Sequence, residues 1–143
     1  MGCGVAARSM GFDHAPVTVR VPFAASSVAV ARQQLKAWMR SRGFARTAVE
    51  DGRVVLSELV ANAIRHAQPL SDGTILITWF LDDDSLRISV TDGGSTSSRP
   101  RNVHAPTSAL SGRGMAIVEA LAAEWWSERT RTRSTIHTRL PLT

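Results

Sequence analysis

Glu58 and Asn62 are the pair whose types and spacing point most directly to chemistry. They lie four residues apart in Val54 to Ala67, VVLSELVANAIRHA. A helix would stack them one turn apart on the same face. A carboxamide oxygen can take one place in the octahedral shell of Mg²⁺, an ion that keeps several waters and binds phosphate oxygens. A carboxylate beside it can draw the proton from an attacking hydroxyl or water. Two later stretches add to this. Val90-Thr91-Asp92-Gly93-Gly94 ends an apolar strand in a carboxylate and glycines. A carboxylate at a strand end can accept a hydrogen bond from the exocyclic amine of adenine. Ser111-Gly112-Arg113-Gly114-Met115 opens an apolar helix. There Gly112 and Gly114 let backbone N–H groups approach an anion at the helix N-terminus, and Arg113 could add charge. Each stretch alone also has a plain reading: a solvated surface pair, an Asp-Gly turn, a Gly-rich turn before a helix.

The elements that must position these residues follow from periodicity. In the Val54–Ala67 helix, Leu56, Leu59, Val60, Ala63, Ile64 and Ala67 share one broad arc, while Glu58, Asn62 and Arg65 share the opposite one. Thr47 and Glu50 form a capping-box pattern at its start, and Gly52 weakens its first turns slightly. Upstream, Val17 to Val21 alternates as a short strand stopped by Pro22. A helix then runs from a Ser26 or Ser27 cap to about Arg42, with Ala31, Leu35, Trp38 and Met39 as its apolar stripe. Thr74–Leu81 and Leu86–Thr91 read as a hairpin around an acidic turn at Asp82-Asp83-Asp84-Ser85. Leu86, Ile88 and Val90 face one side, which fits a sheet covered on one face only. Residues Ser95 to Ser111 lack a clear period and read as a lid over a ligand. Met115 to Ala123 reads as a helix with Ile117, Val118 and Leu121 inward. Trp125–Arg131 and Thr135–Leu140 close the chain as a hairpin turned at Thr132-Arg133-Ser134. The adjacent Trp125 and Trp126 must then face opposite ways, one into the core and one toward a partner surface.

Composition narrows the classes. The chain has 143 residues, enough for one domain, here a flexible tail over residues 1–16 and a single domain over 17–143. No apolar run approaches the roughly 20 residues that span a bilayer. The N-terminus lacks a secretory h-region and the myristoylation pattern. Cys3 is the only cysteine, which excludes an internal disulfide and makes the cytoplasm the expected location. The net charge of +5 comes almost wholly from arginines scattered from Arg8 to Arg139, without the dense run expected of a nucleic-acid binder.

Taken together and in order, the three motifs resemble the Bergerat ATP-binding fold of the histidine kinase-like ATPases. The similarity is greatest to its small single-domain branch, the anti-sigma-factor serine kinases, and it covers roughly Val17 to Leu140. The resemblance implies an α/β two-layer sandwich, a mixed, mostly antiparallel sheet with helices on one face. It implies ATP and Mg²⁺ as cofactors, with Glu58 as general base and Asn62 as metal ligand. Asp92 and Gly94 would meet adenine. Arg65, Gly112, Arg113, Gly114 and Met115 would line the nucleotide site, and Thr135 would support Asp92 or the adenine site through its hydroxyl. Thr96 stands where the family's third glycine of the Asp92 box is expected. A carboxylate at position 58 favours hydrolysis or transfer to a protein hydroxyl. The implied partners are a sigma factor and an anti-anti-sigma antagonist, with a homodimer as the assembly; membrane and direct nucleic-acid binding are not expected. The competing reading is a non-catalytic, ATP-dependent partner-binding module. A third, ATP-independent nucleic-acid binding, rests only on charge and the tryptophan pair.

Overall fold

The structure, a computed structural model, describes residues 15–94, 102–103 and 113–142. The elements run β1 (Val17–Pro22), α1 (Ser27–Ser41), α2 (Arg46–His66), β2 (Thr74–Asp82), β3 (Ser85–Asp92), β4 (Asn102–Val103), α3 (Arg113–Leu121), β5 (Glu124–Arg129) and β6 (Ser134–Pro141). The strands form one sheet in the order β1-β2-β3-β6-β5-β4. Every pairing among the described residues is antiparallel. The architecture is the expected two-layer sandwich.

Alternation decides which side of the sheet is covered. Val19, Ile77, Val90 and Ile136 line up across four strands, as do Trp79, Ile88, Thr138 and Trp125. Of these, all but Val19 are buried. The helices lie over this side, with α2 in the middle, packed against α1, α3 and β3. Leu56, Leu59 and Val60 of α2 are wholly buried, each side chain contributing roughly 1.5–3 kcal/mol by leaving water. Gly52 lets α2 approach α1 and the sheet: a Cβ there would lie 3.0 Å from Met39 Sδ and 3.4 Å from Leu86 Cδ2. The sequence shows only its helix-weakening side. No described helix is long and apolar enough to cross a membrane.

Several local expectations are corrected. Ser26 precedes α1 in helical rather than extended geometry and makes no capping bond, while Ser27 Oγ donates to the Pro22 carbonyl at 2.6 Å. α2 begins one residue before Thr47, so the capping box does not form, and Glu50 pairs instead with Arg53. In α3, Met115 and Val118 are buried but Ile117 is 38% exposed, because it stands about 100° around the helix from Val118. The β5–β6 turn comes earlier than expected, with Thr130 N–H donating to the Arg133 carbonyl. Trp125 enters the core, and Trp126 lies on the other sheet face, stacked on His137 at 5.1 Å. Within the expected lid, Asn102–Val103 pairs with β5; the remainder, 95–101 and 104–111, lies outside the described residues.

Candidate functional site

Strand β3 is central, with β2 on one side and β6 on the other, and alternation carries Leu86, Ile88, Val90 and finally Asp92 to the helix side. The apolar pattern thus delivers a carboxylate into the edge of the core. Asp92 is only 5% exposed. Burial pushes its carboxyl up to about 6, against the opposing pull of the Gly94 N–H and the Arg129 guanidinium. The Gly94 N–H donates to Asp92 Oδ1 at 2.7 Å.

The two glycines bind this strand end to the end of α2. Gly93 N–H donates to the Gln68 carbonyl at 2.7 Å, and Gln68 N–H donates to the Gly94 carbonyl at 3.0 Å. The approach needs glycine, since a Cβ on Gly93 would stand 2.0 Å from the Pro69 carbonyl oxygen. Gly94 has φ +84°, in the left-handed region that side chains disfavour. Asn62 lies about one turn before the end of α2 at His66, so this clasp brings its end of the helix to Asp92.

Asn62, on the arc opposite the apolar one, is only 8% exposed, against the plain reading of a solvated surface pair. Burial is not uniform along that arc, since Glu58 is half-buried and Arg65 exposed. The Asn62 Oδ1 is buried and has no hydrogen-bond partner among the described residues. A buried amide oxygen left unpaired is costly, and such a neutral oxygen suits a hard cation. The residues present therefore fit Mg²⁺. Glu58 is half-buried and opens onto a hollow of about 320 Å³ that Arg32, Glu50, Arg53, Val54 and Ser57 also line. Arg65 is exposed.

The remaining expected residues divide. Met115 is wholly buried and its side chain packs in the core. Arg113 and Gly114 do begin a helix, as anticipated; their side-chain surroundings and Gly112 lie outside the described residues. Thr135 does not support Asp92. It pairs with Thr91, one residue earlier, and the two hydroxyls share a hydrogen bond of 2.8 Å on the opposite sheet face. A shift of one residue along a strand reverses the face.

The family model of the histidine kinase-like ATPase domain matches residues 21–140. The chain belongs to that family. Among curated proteins it is 28% identical over 88 residues to the serine-protein kinase RsbW of Listeria monocytogenes, covering 61% of this chain and 56% of that one. It is 32% identical over 78 residues to the serine-protein kinase RsbW of Bacillus cereus, covering 54% and 49%. The chain therefore spans about half the length of the curated relatives it matches. A solved structure of the RsbU and RsbW domains of Rv1364c from Mycobacterium tuberculosis superposes with a TM-score of 0.69 at 23% identity, covering 90% of this chain and 32% of that one, a likeness of fold.

Two residues of this histidine kinase-like ATPase domain that sequence reasoning passed over share Asp92's face. Register places Ser134 directly across from Asp92, and Arg129 directly across from Ser134. Counting back by twos from the inward Leu140 and Ile136 finds Ser134, and counting forward from Trp125 finds Arg129.

Proposed function

We propose that this chain is an ATP-binding regulatory protein that transfers the γ-phosphoryl group of ATP to a serine on a small antagonist protein and also sequesters a sigma factor. The observation that carries this reading is the buried Asn62 oxygen, unpartnered among the described residues and one turn from Glu58, on a helix clasped to Asp92. Membership of the ATPase family and partial similarity to serine-protein kinases support it. The reading implies a cytoplasmic protein acting as a homodimer.

In this mechanism Asp92 accepts from the adenine amine, and Gly94, where a Cβ would meet no atom nearer than 3.9 Å, leaves the backbone open to the base. Asn62 Oδ1 would hold Mg²⁺, which would offset charge on the phosphates. Glu58 takes the proton of the acceptor serine as its oxygen bonds to phosphorus and the bond to the ADP oxygen breaks. Products are ADP and phosphoserine. Arg113 and the N-terminal backbone of α3 would face the phosphates.

Nucleotide titration with and without Mg²⁺ tests the first half, and transfer of labelled phosphate from ATP to candidate antagonists tests the second. Mg²⁺-dependent ATP binding with transfer abolished by Glu58→Ala is the expected result. Binding without transfer to any cognate antagonist would leave a nucleotide-gated binding module. No ATP binding at millimolar concentration would overturn the reading.

A further inference from the structure

The hollow of about 320 Å³ beside Glu58 is lined by donors that lack acceptors. Arg53 Nη1 is held by the Glu50 carboxylate, while Arg53 Nε is buried with no partner among the described residues. Ser57 Oγ, four residues on and so on the same side of α2, is likewise buried and unpartnered there. Arg32 enters the hollow from α1, half-buried and with no carboxylate partner among the described residues. The arginines of the sheet differ: Arg20, Arg87 and Arg139 each meet a carboxylate within 3.2 Å. Glu58 shares the hollow with both arginines and forms an ion pair with neither. Two guanidinium groups and a hydroxyl with unmet donors call for an anionic oxygen, and a free carboxylate beside them calls for a hydroxyl.

The direction of the hollow matters as well. Glu50, Arg53, Val54 and Ser57 precede Glu58 on α2, whereas Asn62 and the Gln68 clasp follow it. In phosphoryl transfer the attacking and leaving oxygens lie roughly in line on opposite sides of phosphorus. With the nucleotide at the Asn62 end, the acceptor comes in from the hollow. Arg53 stands about 7–8 Å before Glu58 along the helix axis, a length that two or three residues of extended chain cover.

We infer that Arg53 is a specificity-determining residue for the protein acceptor: with Ser57 and Arg32 it seats a carboxylate carried within three residues of the acceptor serine, while Glu58 meets that serine's hydroxyl. The inference rests on the kinase reading and names the chemistry of its acceptor, an acidic segment around the serine.

The test compares wild type, Arg53→Gln and Arg53→Lys on two probes. The first is the antagonist that accepts phosphate, unchanged or with the Asp and Glu residues within three positions of its serine changed to Asn and Gln. The second is a fluorescent decapeptide with one serine flanked by Asp, titrated against its Asn counterpart. Arg53→Gln should raise the KM for the antagonist about tenfold, the loss of one charge-assisted hydrogen bond, with kcat and the KM for ATP within about twofold. Neutralising the antagonist should cost wild type as much, and combining the two changes should add little. Wild type should prefer the Asp peptide, and Arg53→Gln should not. Arg53→Lys keeps the charge without the Nε–H, restores part of each effect, and serves if the glutamine variant fails to fold. Losses that simply add, a change confined to kcat, or an acceptor serine with no carboxylate within three residues would overturn the inference. So would weakening seen only for the phosphorylated antagonist, which would assign the seat to the product phosphate. If no antagonist accepts phosphate, the kinase reading fails, while the peptide titration still decides whether Arg53 meets a carboxylate: equal affinities for the two peptides would overturn it.

Discussion

Replacing Asp92 by Asn should make the protein more stable and a poorer ATP binder, with the stability gain appearing only above a defined pH. The folded carboxyl titrates at about 6 rather than 3.8 because burial disfavours its charged form. A shift of that size corresponds to about 3 kcal/mol between the two protonation states. The folded chain holds the Asp92 proton over roughly pH 4–6 where the unfolded chain has released it. Stability therefore declines as pH rises through that window, and the full penalty is present above it. Asn is nearly the same size, and its amide oxygen can still accept from the Gly94 N–H. At pH 8 the variant should gain up to about 3 kcal/mol, and at pH 3.5 the two proteins should be equally stable. ATP affinity at pH 8 should fall about tenfold, because a neutral acceptor replaces a charged one. Urea unfolding at pH 3.5, 5, 6.5 and 8, with ATP titration at pH 8, reads all of this. A variant less stable than wild type at pH 8, or a stability difference that does not change with pH, would refute the reasoning.

The other outcomes are more direct. Glu58→Ala should lower phosphoryl transfer by roughly 10²–10⁴-fold while ATP affinity stays within about twofold, measured by single-turnover transfer alongside titration. Asn62→Ala should remove most of the Mg²⁺ enhancement of nucleotide binding yet change unfolding free energy by less than about 1 kcal/mol, because its Oδ1 has no hydrogen bond to lose. Gly93→Ala should cost at least about 2 kcal/mol in urea unfolding and impair ATP binding, since its Cβ would force the backbone away from Pro69 and open the Gln68 clasp. Wild-type ATP affinity should fall as pH drops through about 6, where Asp92 takes up its proton, while remaining flat from pH 7 to 8.5.

What could be read from the sequence was whatever depends on a local period. The alternation of Leu86, Ile88 and Val90 located the buried sheet face, and the 3.6-residue period of Leu56, Leu59, Val60 and Ala63 located the buried side of α2. The same periods could not say that α2 would be the middle of three helices, or that Asn62, on the arc opposite the apolar one, would be buried. Nor could they distinguish two helix starts two residues apart: a Thr47–Glu50 cap would begin the helix at Ala48, and it begins at Arg46 after Ala45. Thr135 was misplaced by one position because motif spacing ignores the strict two-residue repeat of a strand; Ile136 and Leu140 already fixed the inward face. Gly52 looked like a weak spot because propensity is local, while its use depends on Met39 and Leu86.

Two features of the site run against stability. A strand that delivers Val90 into apolar packing gains from burial; continuing the same alternation to Asp92 incurs a desolvation penalty that Val or Leu would not. A helix that buries Ala63 gains likewise, while burying the unpaired Asn62 oxygen beside it does not. The clasp between Gly93, Gly94 and Gln68 holds both penalties at one end of the sandwich, where hydrogen bonds to nucleotide and cation would relieve them. Ligand binding and folding should therefore be coupled. Saturating ATP with Mg²⁺ should stabilise wild type by more than it stabilises Asp92→Asn or Asn62→Ala, each of which has already shed one of the two groups the ligand would satisfy.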